Sequence, residues 1–499
     1  MINNPKLSYL KADLRSLSLF RIILGISILY NLYIKSFYCI EFWGAEPIIP
    51  IPLFQTLNGV NSISIFDYIR NDNFAYLYFA ASYFFTLLFT LGIKTRITTV
   101  ICCFLFWNLL QSSATFTFGF DYYTFHLLFL ACFLPLDSHF LVKIFKEQKA
   151  INEPRLIFSI LIFYQIAWIY LASAFAKYGE SWMNGYAVQN MLLDKWATTG
   201  LGKLLSDQYW YYMPATYLTL TLEFSLVFLI FLPYKSSLLR FIASTILFVF
   251  HLNIALTYDV GNFSISGFAA AALLLPAAFW DRLKVHKTAF QKTDLVKNVY
   301  LRRIGLYFSI FVLFVITVKN LNFCSNNNFF KDSAIAKSMN SVLAFANIPS
   351  PIRVSFFNQH WKMFAPNPPV KSGWLALEVQ KKDGLTYDFF NNQLITEEPK
   401  INWTPKGLEF YLLYYCRNFD NPNGNNVKYK LFLKYWIKYI LKKHKYPMAE
   451  IDNLIFSDYI YTTAKKPHKK KVNFSLYSAV EIINQEFEKP LANKSSSFD

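Results

Sequence analysis

The sequence predicts an all-α polytopic membrane domain of about nine transmembrane helices, followed by a small α+β extracytoplasmic domain. Two observations support this fold class. Hydrophobic residues make up 54% of the 499 residues and charged residues only 16%, against about 25% charged residues in soluble domains. Apolar segments of about twenty residues, the length that crosses a bilayer, recur over residues 1–320 and stop there. The chain is therefore expected to have the lipid bilayer as its main partner.

The length of apolar sequence that crosses a bilayer defines the candidate spans. They cover residues 17–35, 74–93, 97–115, 121–141, 156–176, 214–233, 237–256, 261–280 and 303–320.

Lysine and arginine are concentrated in alternate loops between these spans. They occur at the N-terminus and after the second, fourth, sixth and eighth spans, with Arg282 and four lysines up to Lys297 in the last of these loops. The loops 116–120 and 257–260 carry none. Because cytoplasmic loops hold the excess of positive charge, we predict a cytoplasmic N-terminus and an extracytoplasmic tail.

The tail, residues 321–490, carries the signals of a small α+β domain. Residues 374–390 alternate in polarity around the turn Asp383-Gly384, which predicts a β-hairpin. Residues 454–480 contain two β-rich runs separated by a basic turn and predict a second hairpin.

Other parts of the tail carry weaker signals. Residues 427–447 have helical periodicity that stops at Pro447. Residues 491–499 are polar and expected to be disordered. An oxidising outer compartment permits a disulfide between Cys324 and Cys416, although their spacing fixes no geometry.

Composition argues against two classes of partner. The net charge of +18 is explained by the membrane flanks and the tail, and no nucleic-acid-binding motif accompanies it. The six cysteines show neither a C-x-x-C nor a Cys/His ligand spacing. We therefore expect neither nucleic acid nor a metal ion as a ligand.

Several polar residues lie in or beside the apolar spans and share one side of the predicted bundle. An ionisable residue costs about 2.5–3.5 kcal/mol at the bilayer centre, so it needs a physical reason. Lys177 ends the fifth span, and His251 lies near the end of the seventh, which Tyr258 follows. Asp121 and His126 begin the fourth span. Their common outer side predicts a cavity between helices.

Structural roles for the same residues remain open. Lys177 is also consistent with a side chain that snorkels to the interface. His251 is also consistent with a hydrogen-bonded packing residue, and Asp121 with a helix cap. Arg21, in the cytoplasmic half of the first span, is expected to snorkel.

The stretch 172-ASAFAKYGESWMNGYAV-188 resembles the vitamin K-dependent gamma-glutamyl carboxylases and the wider HTTM (horizontally transferred transmembrane domain) family. In those carboxylases a span ends in a lysine, followed by a tryptophan and a Gly-Tyr pair; here these are Lys177, Trp182, Gly185 and Tyr186. Other stretches are also similar to the family, in the same order along the chain: residues 16–29, 91–99, 248–268 and 360–379.

The resemblance implies an enzyme that binds a reduced quinone and uses it with oxygen, coupling quinone epoxidation to proton abstraction or carboxylation. Lys177 would be the base that deprotonates the reduced quinone, and His251 would hydrogen-bond a quinone oxygen. An ion pair with Glu180, one turn beyond Lys177, would oppose this base role, and the sequence leaves open whether it forms. The remaining residues expected at the quinone site are Asp121, His126, Trp182 and Tyr258.

The sequence departs from the carboxylases in two places. Asp121 stands where they carry a histidine at the start of the fourth span, and His126 lies one helical turn later. The region that binds the protein substrate is much shorter here. These departures argue against carboxylation of a protein or peptide substrate on the outer side, and they affect the predicted quinone binding less.

An alternative function is a non-enzymatic transporter or an assembly scaffold with an extracytoplasmic interaction domain. A transporter is expected to show inverted repeats and helices broken at mid-membrane, and the sequence shows neither. The abundance of Lys, Asn, Ile and Phe is typical of a low-GC bacterium, so the expected location is a bacterial cytoplasmic membrane and the expected quinol is menaquinol.

The predicted topology is testable by limited proteolysis of intact spheroplasts. A protease added outside should cut within residues 321–499 and spare the positively charged loop 144–155. Cleavage of that loop in intact spheroplasts would reverse the orientation.

Overall fold

A computed structural model shows a mostly helical protein with a small antiparallel sheet toward its C-terminal end. The structure describes residues 5–48, 64–112, 117–136, 156–194, 197–285, 305–317, 361, 363–368, 371–382, 384–388, 394, 451–462 and 470–478. The predicted helix at 427–447, the terminal residues 491–499, Cys324 and Cys416 lie outside the described residues.

The helices follow the apolar segments of the sequence. They are α1 (Leu14–Ser36), α2 (Cys39–Trp43), α3 (Asp72–Leu91), α4 (Thr95–Ser112), α5 (Gly119–Ala131), α6 (Leu156–Ala176), α7 (Glu180–Met183), α8 (Ala187–Leu192), α9 (Gly200–Leu205), α10 (Tyr209–Phe231), α11 (Ser236–Thr257), α12 (Phe263–Leu274), α13 (Ala277–Arg282) and α14 (Gly305–Thr317).

Polar residues mark where the first long helices begin and end. The Asp13 carboxylate accepts from the backbone N–H of Arg15 at the start of α1, and the Asn71 side chain caps the start of α3. Such caps satisfy backbone donors that have no partner within the helix. Helix α3 ends at Gly92, whose φ of 84° is the left-handed conformation that glycine adopts at low cost.

Five helical stretches of the described chain are long and apolar enough to cross a membrane. They are Leu7–Ser36, Asp72–Leu91, Leu156–Ala176, Tyr209–Phe231 and Ser236–Thr257. They coincide with the first, second, fifth, sixth and seventh predicted spans. The chain is therefore a multi-pass membrane protein.

The other predicted spans correspond to shorter or less apolar helices. Helix α4 has 18 residues and α5 has 13. Helix α12 has 12 residues and ends before Pro276, because proline lacks an N–H and disfavours the helical conformation of the residue before it. The total of nine spans stays a prediction.

Helix α1 lies at the centre of the bundle. It packs against α3, α5 and α12, while α6 packs on α10, and α11 packs on both α10 and α12. The contact between α1 and α3 depends on Gly25, since a Cβ atom there would overlap Thr90 Oγ1. A small residue at such a crossing lets two backbones approach closely.

Buried arginines hold the end of the bundle predicted to be cytoplasmic. Arg15 forms ion pairs with Asp13 at 2.9 Å and with Asp281 at 2.8 Å, which ties α1 to α13. Arg21 donates to the backbone oxygen of Leu136 at 2.7 Å and is fully buried. The expectation that Arg21 snorkels to lipid headgroups is therefore wrong, because its guanidinium binds a backbone carbonyl inside the protein.

The sheet contains β1 (Lys371–Lys381), β2 (Thr386–Asp388), β3 (Ile451–Thr462) and β4 (Lys470–Ser478). Its order is β2-β1-β3-β4, and every neighbouring pair is antiparallel. Gly384 has a φ of 80° in the turn between β1 and β2, a conformation that favours glycine. Over the described residues, both predicted strand pairs are confirmed, β1 with β2 and β3 with β4.

The close crossing of α1 and α3 predicts the effect of one added methyl group. Gly25→Ala should lower the stability of the bundle by about 1–3 kcal/mol, because the new Cβ overlaps Thr90 and overpacking strains both helices. Gly119→Ala is the matched control, since no atom lies within 4 Å of a Cβ built there. Thermal unfolding in detergent micelles measures both. Equal midpoints for Gly25→Ala and the original chain would contradict the close packing.

Candidate functional site

A buried ion pair joins the end of α6 to the middle of α10. Lys177 Nζ donates to Glu223 Oε1 at 2.7 Å and to Oε2 at 2.9 Å. It also donates to Ser173 Oγ, which itself donates to Glu223 Oε1 at 3.2 Å. The two charged side chains are 4% and 5% exposed. An amine, a carboxylate and a hydroxyl are thus joined in one cluster that is shielded from water.

Glu223 was overlooked by the sequence analysis, although the sequence contained a signal for it. It is the only charged residue of α10. It lies fourteen residues after Tyr209 and eight before Phe231, which places it about 21 Å and about 12 Å from the two helix ends at 1.5 Å per residue. An ionisable residue in the interior of a span is a candidate for a functional role.

The sequence left open whether Lys177 pairs with Glu180, and in the structure Lys177 pairs with Glu223. Glu180 is the first residue of α7 and is exposed. Lys177 turns instead into the bundle toward Glu223. The carboxylate that pairs with Lys177 therefore comes from a different span and not from the residue three positions along the chain.

Trp182 covers the ion pair. Lys177 Nζ lies 5.3 Å from the centroid of the Trp182 ring, within the range of a cation–π contact. The indole is buried and donates from Nε1 to the backbone oxygen of Phe364 at 2.8 Å. The tryptophan that follows the lysine is therefore fixed between the ion pair and a segment from the tail.

This segment, residues 361 and 363–368, is called the covering segment below. Its Pro366 oxygen accepts from Gly179 N at 3.0 Å, and Asn367 Oδ1 accepts from Ser181 N at 2.9 Å. A Cβ atom at Gly179 would overlap the Asn367 amide. The loop after Lys177 is thus held to the tail by hydrogen bonds from its backbone N–H groups on both sides of Glu180, one to a backbone oxygen and one to a side chain.

The second buried polar group is a hydrogen-bonded chain of three side chains. Tyr170 Oη lies 2.6 Å from His251 Nε2 and 3.1 Å from Tyr123 Oη. His251 is fully buried, and its Nδ1 has no hydrogen-bond partner within the described residues. Gly267 makes room for the imidazole, because a Cβ there would overlap the ring. The chain links α5, α6 and α11 through the bundle interior.

One face of α6 carries both polar groups. Tyr170, Ser173 and Lys177 are spaced by three and four residues, so they lie along one side of the helix. Seven residues of helix separate Tyr170 from Lys177 by about 10 Å. Lys177 and Tyr170, the hydrogen-bond partner of His251, therefore lie on the same face of α6. Tyr170 and Tyr123 were missed, because buried tyrosines carry no distinguishing signal in an aromatic-rich sequence.

Asp121 belongs to a different contact. Its carboxylate accepts from Asn31 Nδ2, from Phe118 N at 2.7 Å, and from Lys35 Nζ at 3.4 Å. Asp121 is fully buried, and Lys35 nearly so. It therefore caps the start of α5 and pairs with the end of α1, as its alternative role as a helix cap predicted.

His126 and Tyr258 both lie against the covering segment. The His126 ring centroid is 6.0 Å from that of Trp361. The Tyr258 ring is 5.5 Å from Phe364, and its hydroxyl donates to Asp194 Oδ2 at 2.9 Å. The covering segment thus brings together Trp182, Tyr258 and His126, three of the four residues that were expected to bind a quinone.

Comparison with protein families identifies the bundle. The family model described as the HTTM domain matches residues 9–280, which is more than half of the chain. No curated protein and no solved structure matches the sequence. The matched residues include Lys177, Glu223 and His251 but end before the covering segment. The chain belongs to the HTTM domain family.

Proposed function

We propose that this protein is a membrane enzyme that binds a reduced quinone and uses it with oxygen for epoxidation-coupled proton abstraction or carboxylation. The observation that carries the proposal is the buried Lys177–Glu223–Ser173 cluster, joined along α6 to His251 and Tyr170. The resemblance of the Lys177 stretch to the carboxylases supports the same reaction class.

Stability alone is a poor explanation for this ion pair. Removing two charges from water costs several kcal/mol for each ion, and a well-packed apolar pair is often as stable or more stable. Ser173 and Trp182 also hold the amine in a fixed position. A costly charged group whose geometry is held by its neighbours is typical of a catalytic site.

The residues present fit a bound quinone in their donor and acceptor chemistry. His251 offers a ring nitrogen without a protein partner in the described chain, which is able to hydrogen-bond a quinone oxygen. Tyr170 fixes the orientation of the imidazole through its other nitrogen. When bound, a reduced quinone supplies an acidic phenol and the electrons that reduce oxygen. The buried aromatic side chains around His251, among them Phe263 at 4.8 Å between ring centroids, suit a flat apolar ligand.

Lys177 would act at its Nζ atom as the proton acceptor. A protonated amine has no free lone pair, so Nζ must first transfer a proton to Glu223 Oε1, 2.7 Å away, before it accepts another. Ser173 Oγ, bonded to both partners, keeps the donor and acceptor aligned during this exchange. Burial keeps bulk water from supplying the proton instead.

Replacing Lys177 with arginine separates catalysis from anchoring. Arginine keeps its proton in proteins, so Lys177→Arg and Lys177→Ala should both reduce epoxide formation by about 100-fold or more. The assay is purified protein with reduced menaquinone and oxygen, with quinone epoxide measured by mass spectrometry. Lys203→Arg, at an exposed lysine, is the matched control and should retain activity. Full activity of Lys177→Arg would refute the role of Lys177 as the base and leave its pairing with Glu223 as a structural contact.

The ion pair also predicts opposite outcomes for stability and activity. Lys177→Met alone should lower stability by about 3–5 kcal/mol, because Glu223 is left buried without its partner. Adding Glu223→Met should restore most of that loss, while quinone epoxidation stays absent in both variants. Thermal unfolding and the epoxide assay are measured on the same samples. Epoxide formation by the double variant would refute the catalytic role of the pair.

A further inference from the structure

A row of exposed apolar side chains lies outside the predicted spans, on α9 and the first turn of α10. Leu201 is 43% exposed, Leu204 73%, Tyr209 59% and Trp210 69%. The loop that contains them, 177–213, was assigned by the sequence to the aqueous outer side. Four large apolar side chains within ten residues are a substantial surface to leave in water.

Helix α9 is fixed against the last turn of α11. Thr199 Oγ1 donates to the Leu256 oxygen at 2.6 Å, and Thr199 N donates to the Thr257 oxygen at 3.1 Å. Gly202 permits this approach, because a Cβ atom there would overlap the same Thr257 oxygen. The short helix is therefore held at a defined position at the end of a membrane span.

Exposed apolar side chains also lie on α11, the helix against which α9 packs. Leu256, whose carbonyl accepts from Thr199, is itself 51% exposed. Leu252, one turn earlier on α11, is 38% exposed, and Val249, nearly one turn before Leu252, is 55% exposed. Both α9 and the last turns of α11 therefore carry exposed apolar side chains, and backbone hydrogen bonds from Thr199 hold the two elements together.

Helix lengths locate this surface at the membrane boundary. Helix α10 has 23 residues and α11 has 22, so each is about 33–35 Å long, close to the roughly 30 Å of a hydrocarbon core. Tyr211 Oη donates to Asn253 Oδ1 at 2.7 Å, which fixes the start of α10 beside the end of α11. Tyr209 and Trp210 therefore lie at headgroup depth, where tyrosine and tryptophan are enriched in membrane proteins.

We propose that residues 199–210 form an interfacial shelf that inserts its apolar side chains into the phospholipid leaflet at the Lys177 end of the bundle. The partner is the boundary between the headgroups and the acyl chains. Leu201, Leu204 and Trp210 contact acyl chains, and the exposed Lys203 reaches lipid phosphate. The shelf is independent of any catalytic activity of the chain.

Photocrosslinking in phosphatidylcholine liposomes tests the shelf. The full chain is prepared with p-benzoylphenylalanine in place of Leu204, of Trp210 or, as the matched control, of exposed Asp207. Irradiation should give lipid adducts at 204 and 210 at a level at least about fivefold above that at 207, since apolar side chains at the interface face acyl chains. Adducts are quantified by mass spectrometry of the peptide that contains residues 199–210.

Two results would overturn the shelf. Lipid adducts at 204 and 210 no more abundant than those at 207 would show that these apolar side chains are not inserted into the leaflet. Crosslinked dimers at 204 or 210 instead of lipid adducts would identify a second copy of the chain as the occupant. Tryptophan fluorescence gives a second readout. The part of the emission that disappears in Trp210→Phe comes from Trp210, and lipids brominated near the headgroup should quench it. Its quenching by aqueous iodide alone would also count against the shelf.

Discussion

The ion pair between Lys177 and Glu223 determines how the surrounding elements are arranged. Each charge is costly in the bundle interior without the other, so α6 and α10 must pack with these two residues in register. The loop after Lys177 must then leave the helix at once, and Trp182 must return over the amine. The short helices after α6 and the hydrogen bonds from the covering segment follow from that requirement.

A second constraint is that several buried polar groups in this bundle are joined by hydrogen bonds into connected sets. Ser27 and Thr124 both lie 2.7 Å from Ser266 Oγ, and Asn262 donates to Ser27 Oγ and Thr124 Oγ1. This set joins α1, α5 and α12 beside the Asp121–Lys35 pair. In a low-dielectric interior a satisfied network is rigid, while a partly satisfied one is costly. The networks therefore fix which helices are neighbours, a role that apolar side chains facing lipid cannot fill.

The sequence predicted the parts of the fold that depend on local pattern. The five long apolar helices, the turn at Gly384 and the paired strands follow from residue periodicity and turn chemistry. Lys177 and His251 stand out because charge is rare in apolar segments. What could not be predicted is pairing across the bundle. Nothing in one sequence indicates that Lys177 meets Glu223 rather than Glu180, or that Asp121 meets Lys35, because these pairs depend on which helices pack together. Pro276 signals the end of a helix in the sequence. The apolar composition of residues 261–280 nevertheless led to the prediction of one continuous span.

The covering segment links the helical bundle to the tail, which the sequence predicts to be two separate domains. It lies in the predicted tail and beyond the residues matched by the HTTM family, yet Trp361 is buried in the core of the bundle and Phe364 adopts a φ of 59° where it meets Trp182. A left-handed conformation at a bulky residue costs free energy that the surrounding contacts must offset. The tail of this protein is therefore not independent of the bundle. A chimera joined after residue 320 would place the covering segment of another protein against these aromatic surfaces. The few residues of that segment, rather than the whole tail, would then decide whether the tail fits the bundle.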